Sequence, residues 1–338
     1  MKRLGKFAAT AAALLMMGGA AMAQSKVTLA IGGASCLCYL PTVLTKQLGN
    51  FKKAGVEVDM VNFKGGSQAL TAVIGGSADV VSGYFDHTVE LAAKNQELQA
   101  FVVYDRFPGL VLVVAPDQTG KINSIADLKG KKVGVSAPGS STDFFLKYQL
   151  KKAGLAADAA SVIGVGLGGT AIAAMEQGRI DAAIMLDPAV TVLSGKYSDL
   201  RILSDTRTPK DTLAVFGGDY PGGALYTRAD WIAAHPKEVQ AMTNAIISTL
   251  KWIRGHSAEE ITAKMPPEFT KNKKLYIAAL KNTMPMYSKT GMMDPKGAQA
   301  VLNVFAQSSP EIAKAHVDLS KTYTNKFVEQ ANKKMGMK

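Results

Sequence analysis

The stretch VEVDMVNFKGGSQALTAVIGGSADVVSGYFDH, residues 56–87, constrains the fold of this chain more than any other. Apolar and polar residues alternate from Val56 to Phe63 as in a strand. Gly65-Gly66-Ser67 then opens an apolar helix, and a second short strand begins at Asp79 to Ser82. A strand–helix–strand unit leaves its loops at the carboxyl ends of parallel strands, where the unpaired amides of a helix start face one crevice that suits polar ligands. The remainder of the chain is left to supply the other walls of that crevice.

Residues 1–23 read as a secretory signal peptide rather than as part of the fold. Lys2, Arg3 and Lys6 precede an apolar run from Phe7 to Met17 that is short for a membrane span, and Ala21-Met22-Ala23 is a small-x-small cleavage site. No cysteine follows the site closely, so an exported soluble protein is expected, not a lipoprotein. Cleavage takes the formal net charge from +12 to +9. A basic chain can bind nucleic acid, but export removes that partner, and Lys52-Lys53, Lys129 to Lys132, Lys271 to Lys274 and Lys333-Lys334 are scattered without interleaved aromatics.

The roughly 315 remaining residues are enough for two lobes with separate cores. Cys36 and Cys38 stand one residue apart. Extended geometry points their side chains to opposite faces, so two unpaired thiols are expected, one packed in the core, with a metal or redox role as the alternative. In order, the chain offers a strand at Val27 to Ile31 and a helix from Tyr39 to Phe51. The 56–87 unit follows, then a helix at Thr88 to Lys94 and strands at Gln99 to Tyr104 and Leu110 to Ala115. Pro116 to Gly120 reads as a turn or crossing. The same grammar then restarts: a strand at Lys132 to Val135, the turn Ala137-Pro138-Gly139-Ser140-Ser141-Thr142 into a helix, a strand near Val162, Gly168-Gly169-Thr170 into another helix, and a strand at Asp181 to Met185. The pieces GGSADVV and QGRIDAAIML mark equivalent points of the repeat. A second Gly-rich crossing, Gly217 to Gly223, leads to a strand at Ala224 to Thr227 that returns to lobe one. Beyond it the chain is helical, with Val239, Met242, Ile246, Leu250 and Ile253 on one face of Pro236 to Arg254. The domains expected are 24–116 and 217–338 for lobe one with its C-terminal helices, and 117–216 for lobe two.

FKGGSQALTAVIGGSADVVSG, SIADLKGKKVGV, APGSSTDFFL, QGRIDAAIMLDP and ALYTRADWIAAHPKEVQAM together resemble the exported solute-binding proteins of ABC importers, in the nitrate, sulfonate, taurine and thiamine-pyrimidine group (SsuA/THI5-like, NMT1-like). The resemblance spans essentially the whole chain. It implies a two-lobe α/β periplasmic-binding-protein (type II) fold with a mixed sheet in each lobe, two hinge crossings, a helical C-terminal tail, and a ligand in the cleft held by hinge closure. It also implies a monomer in the periplasm that delivers a small molecule to an ABC transporter permease, without a cofactor.

Carried over by position, the cleft is lined from lobe one by Ser35, Cys36 and Tyr39, by Gly66, Ser67 and Gln68, and by Tyr84, Phe85 and Asp86. Lobe two supplies Gly139, Ser140, Ser141, Thr142, Gly169, Thr170 and Asp187. The hydroxyls and helix starts suit an anionic group. Asp86, Asp143 and Asp187 oppose one, and Tyr84-Phe85-Asp86 suits an aromatic base that donates hydrogen bonds. Arg106 is a further candidate for an acid group. Each Ser or Thr taken alone is a helix cap, one of Tyr84 and Phe85 is a core aromatic, and Asp86 and Asp187 equally serve turns. The competing class is an enzyme. The resemblance extends to makers of the thiamine pyrimidine, whose cysteine-rich segment and Lys and His after a central strand support pyridoxal-phosphate and iron chemistry. Cys36, Cys38 and His87 match those features, but no lysine lies between Asp79 and Thr88 to form a Schiff base. A third class is a sensor that presents its closed form to another membrane partner.

Overall fold

The computed structural model describes residues 25–336, so the signal-peptide reading falls on residues outside those described. Ten strands form two sheets: β1 (Ser25–Ile31), β2 (Val56–Asn62), β3 (Val80–Tyr84), β4 (Leu98–Val103), β5 (Val111–Val114), β6 (Lys132–Val135), β7 (Ser161–Gly164), β8 (Ala182–Met185), β9 (Ile202–Asp205) and β10 (Gly223–Arg228). The first sheet has the order β2-β1-β3-β10-β4 and the second β7-β6-β8-β5-β9. In each, three parallel strands are followed by one antiparallel strand delivered from the other stretch of chain. The central strands β3, β5 and β8 are buried along their whole length, as strands covered by helices on both faces must be, and β7 and β9 at the edges are not.

The repeat read in the sequence has a physical basis. Asp79 Oδ2 accepts from Thr28 N at 2.7 Å and Asp79 N donates to Thr28 O. In the other lobe Asp181 Oδ2 accepts from Lys132 N at 2.8 Å and Asp181 N donates to Lys132 O. The same aspartate therefore locks the start of the third strand to the first in both lobes.

Two sequence expectations are corrected. The strand at 111–114 belongs to the second sheet, so the chain crosses between lobes at 104–110. Pro116–Gln118 is only a 3-10 turn beyond it. A strand apolar on both faces pairs equally well in either sheet, and its local pattern does not say which. The expected separate cores are also not found: one apolar cluster runs from Leu29 and Val80 in lobe one through Tyr104 and Leu110 in the crossing to Val133 and Ile184 in lobe two. A smaller cluster around Val111, Val113 and Met185 covers the other face of the second sheet. Tyr104, Phe107 and Leu110 of the first crossing and Tyr220 of the second join the cores.

The Tyr39–Phe51 helix is divided. A 3-10 turn Leu37–Tyr39 precedes Leu40–Gln47, and Gly49, at φ 67°, separates a last turn Asn50–Lys53. The helix Pro236–Arg254 buries all five residues of its expected apolar face, each worth roughly 1.5–3 kcal/mol relative to exposure. Helices at Ala189–Lys196 and Pro209–Phe216 had no sequence expectation.

The two crossings are hydrogen-bonded to each other. Tyr104 N and Asp105 N donate to Gly223 O, Gly222 N donates to Asp105 O, and a third segment joins them: Arg106 N donates to Met286 O and Ser288 N to Tyr104 O. The segment 286–288 thus braces the first crossing, which is bonded in turn to the second.

Candidate functional site

The carboxyl ends of β1, β3 and β6 face one another where the lobes meet. Tyr39, Gly66 and Tyr84 from lobe one and Ser140, Ser141 and Thr142 from lobe two line a common cavity, together with Cys38, Leu110, Ser136, Leu167 and Leu186. The lobes are shut on it: the cavity is about 10 Å³, room for about one water. Lobe contact is direct. Ser67 Oγ donates to Pro138 O at 2.9 Å, Leu37 N donates to Asp187 O at 2.9 Å, and Ser141 Oγ donates to Asp86 Oδ1 at 2.8 Å. At Gly65 the approach is so close that an added Cβ would stand 2.9 Å from Ala137 Cβ.

Asp86 is the centre of this arrangement. It begins the helix Asp86–Ala92, is fully buried, and receives Ser141 Oγ from lobe two and, at 3.2 Å, Tyr220 OH from the second crossing. Burial raises its pKa, opposed by His87 and by the hydrogen bonds from Ser141 and Tyr220. Burial also pushes up the phenols of Tyr39 and Tyr84, helped by the nearby Asp86 and Asp105, so both remain neutral hydrogen-bonding groups. Tyr84 OH donates to Pro108 O at 2.5 Å, and the Tyr39 and Tyr84 rings meet edge to face at 6.1 Å. On the other side Ser136, Ser140 and Thr142 form a closed set of hydroxyls, 2.7–3.0 Å apart, at the start of Ser141–Lys152.

The remaining candidates are placed differently. Ser35 and Thr170 line a separate groove at the cleft's outer edge, and Gly169 starts the helix beside it. Gln68 is exposed and its Oε1 accepts from Lys64 N. Phe85 is a core residue, edge-on to Tyr323. Gly139 holds the turn at φ 75°, and its N donates to Asp143 Oδ2. Asp187 works largely as a cap, its Oδ1 accepting from Thr191 N and Oγ1, with Arg207 at 3.4 Å from Oδ2. Arg106 lies in the first crossing, where it donates to Pro285 O.

The free-thiol expectation for the cysteines is overturned, since Cys36 and Cys38 are bonded to each other. The extended geometry expected of both holds at Cys36 alone, at φ −68° and ψ 136°. The chain turns at Cys36 into the 3-10 segment Leu37–Tyr39, which brings the Cα atoms to 5.2 Å with both side chains on one side. Cys36 is buried beneath the cleft and only Cys38 reaches its lining.

Sequence reasoning missed Ser136, Tyr220 and Asp105. Tyr220 could have been suspected as the one aromatic in the Gly-rich crossing; Asp105 carried no local signal. Its Oδ2 accepts from Gly223 N at 3.1 Å and its Oδ1 is buried without a partner. Burial raises its pKa well above the usual range, only partly opposed by the Gly223 amide. The folded state therefore binds this proton more tightly than the unfolded chain. Its contribution is most favourable below the ordinary carboxylate pKa, declines as pH rises toward the raised value, and stays low above it. Thermal unfolding should show Asp105→Asn gaining stability relative to the parent between pH 4 and pH 8. The expected gain is about 1–3 kcal/mol, the scale of a poorly satisfied buried polar group. A pH-independent difference would mean that Asp105 does not titrate in the crossing.

Two sheets of matching order around one cleft define the two-lobe α/β fold of periplasmic binding proteins. The chain belongs to the NMT1/THI5-like family, whose profile matches residues 39–260. It is similar to a solved protein of Bordetella bronchiseptica RB50, at 41% identity and a TM-score of 0.89, covering 92% of this chain and 98% of that one. It shares its fold with the alkanesulfonate-binding protein SsuA of Xanthomonas axonopodis pv. citri bound to MOPS, at 18% identity and a TM-score of 0.69, over 89% of this chain and 98% of that one. Among curated relatives, the 4-amino-5-hydroxymethyl-2-methylpyrimidine phosphate synthase of Schizosaccharomyces pombe is 27% identical over 67% of this chain. The matched region spans 65% of that relative's length.

Proposed function

We propose that this protein is an exported solute-binding protein that captures a small polar organic ligand between its lobes and hands it, as a monomer, to an ABC importer permease. The observation that carries the reading is the set of interlobe hydrogen bonds, Ser141 to Asp86 and Ser67 to Pro138, formed across a cleft whose lobes are joined through two crossings bonded to each other. Such bonds form only when the lobes meet, so occupancy of the cleft and the approach of the lobes are coupled. The groups that converge there are hydroxyls, neutral phenols and helix starts, which bind and orient. The alkanesulfonate-binding protein with the same fold supports this.

Similarity to the pyrimidine synthase favours an enzymatic second reading, as does His87, whose Nδ1 pairs with Tyr226 OH while its buried Nε2 lacks a partner. The residues do not fit the cofactors of that chemistry. No lysine lies between Asp79 and Thr88, and the sulfurs of Cys36 and Cys38 are spent on each other. Mass spectrometry of the small molecule released from purified protein, before and after prolonged incubation, separates the readings. One ligand of unchanged mass is expected, and a product of altered mass would establish the enzyme instead.

A further inference from the structure

The charges around the cleft are unevenly placed. No charged residue lines its inner cavity, and the buried Asp86 stands behind that lining, bonded to Ser141. At the outer edge, away from the crossings, β2 and β7 leave a groove of about 460 Å³ between the lobes. Lys64 from the loop after β2 and Arg179 from the turn before β8 both line it, and no acidic residue does. Both cations are exposed, and neither is in an ion pair among the described residues, whereas Lys94, Lys147, Lys196 and Lys321 elsewhere have carboxylate partners. Thr170 and the start of the helix Gly169–Glu176, which has no side-chain cap, face the same space.

Two like charges carried on opposite lobes repel as the cleft closes, and an anion between them converts that repulsion into attraction on both sides. We propose that Lys64 and Arg179 form an oxyanion clamp across the mouth of the cleft, which takes the acid group of the bound ligand. This rests on the binding-protein reading and narrows the ligand to a small organic acid, a carboxylate, sulfonate or phosphate.

Inorganic phosphate is the probe, titrated by phosphorus NMR at about 10 mM ionic strength, where screening between exposed charges is weak. Lys64→Glu and Arg179→Glu are each expected to weaken phosphate binding about tenfold or more, the scale of one lost charge-assisted contact. Lys64→Gln should weaken it less. The ligand recovered from the protein should displace phosphate competitively. Equal phosphate affinity in the parent and both charge reversals overturns the clamp, and so does simultaneous binding of phosphate and ligand. X-ray scattering of the same samples keeps the two proposals apart. Each single reversal replaces repulsion across the groove by attraction and should compact the protein without phosphate. Lost phosphate affinity with no change in compaction would leave the clamp standing and count against lobe closure.

Discussion

A Gly65→Val protein is expected to fold as stably as the parent and to bind its ligand roughly a hundredfold more weakly. Gly65 precedes the helix Gly66–Ile74 with φ −159° and ψ 165°, an extended conformation that valine adopts freely. The obstacle is not local. A Cβ at this position would meet Ala137 of the opposite lobe at 2.9 Å from its Cβ and 3.1 Å from its N, with Ser136 C, also of that lobe, at 3.1 Å, so the side chain acts as a wedge between the lobes. Neighbouring glycines cannot make this test. Gly139 sits at φ 75°, and a Cβ on Gly66 would stand 2.9 Å from His87 Cε1 within lobe one, so substitution at either strains the fold itself. Calorimetric titration alongside thermal unfolding of ligand-stripped protein decides it. Unchanged affinity in Gly65→Val would mean that the ligand does not need the closed state.

Asp86→Ala is expected to weaken the ligand about 10- to 100-fold, because one carboxylate joins Ser141 of lobe two and Tyr220 of the crossing to lobe one. Asp86→Asn keeps an acceptor for Ser141 and an amide for Tyr220, and should stay within a few-fold of the parent. The pH dependence has a definite sign. Burial raises the Asp86 pKa, so if opening of the lobes exposes this carboxyl, the shut state holds its proton more tightly than the open one. Affinity is then greatest at the acid end, falls as pH rises from the ordinary carboxylate range toward the raised value, and levels off above it. Asparagine at this position should flatten that slope. A slope retained by Asp86→Asn would place the titrating group elsewhere.

The strand–turn–helix units were legible because their signals are local. Gly65-Gly66-Ser67 and Pro138-Gly139-Ser140 each announce a turn into a helix, and the aspartates that turned out to lock β3 to β1 and β8 to β6 stood out as a repeat. What the sequence hid depends on partners far along the chain. Ser141 reads as a helix cap, and its bond to Asp86, 55 residues away, cannot be seen from either position. The sheet to which β5 belongs is decided by β8 and β9, not by its own apolar run. Gln68 and Phe85 were expected in the cleft from position alone, yet the helix turn sends one outward and the other into the core. The cysteines were misread because an extended backbone was assumed beyond Cys36, where the chain enters a 3-10 turn.

Capture by lobe closure is tested most directly by small-angle X-ray scattering of ligand-stripped protein, titrated with the ligand recovered from it. The stripped protein should be measurably larger and should contract on binding to the dimensions of the shut form, with Gly65→Val remaining extended at every ligand concentration. Identical scattering curves for stripped and saturated parent protein, with binding verified by calorimetry, would contradict capture by closure.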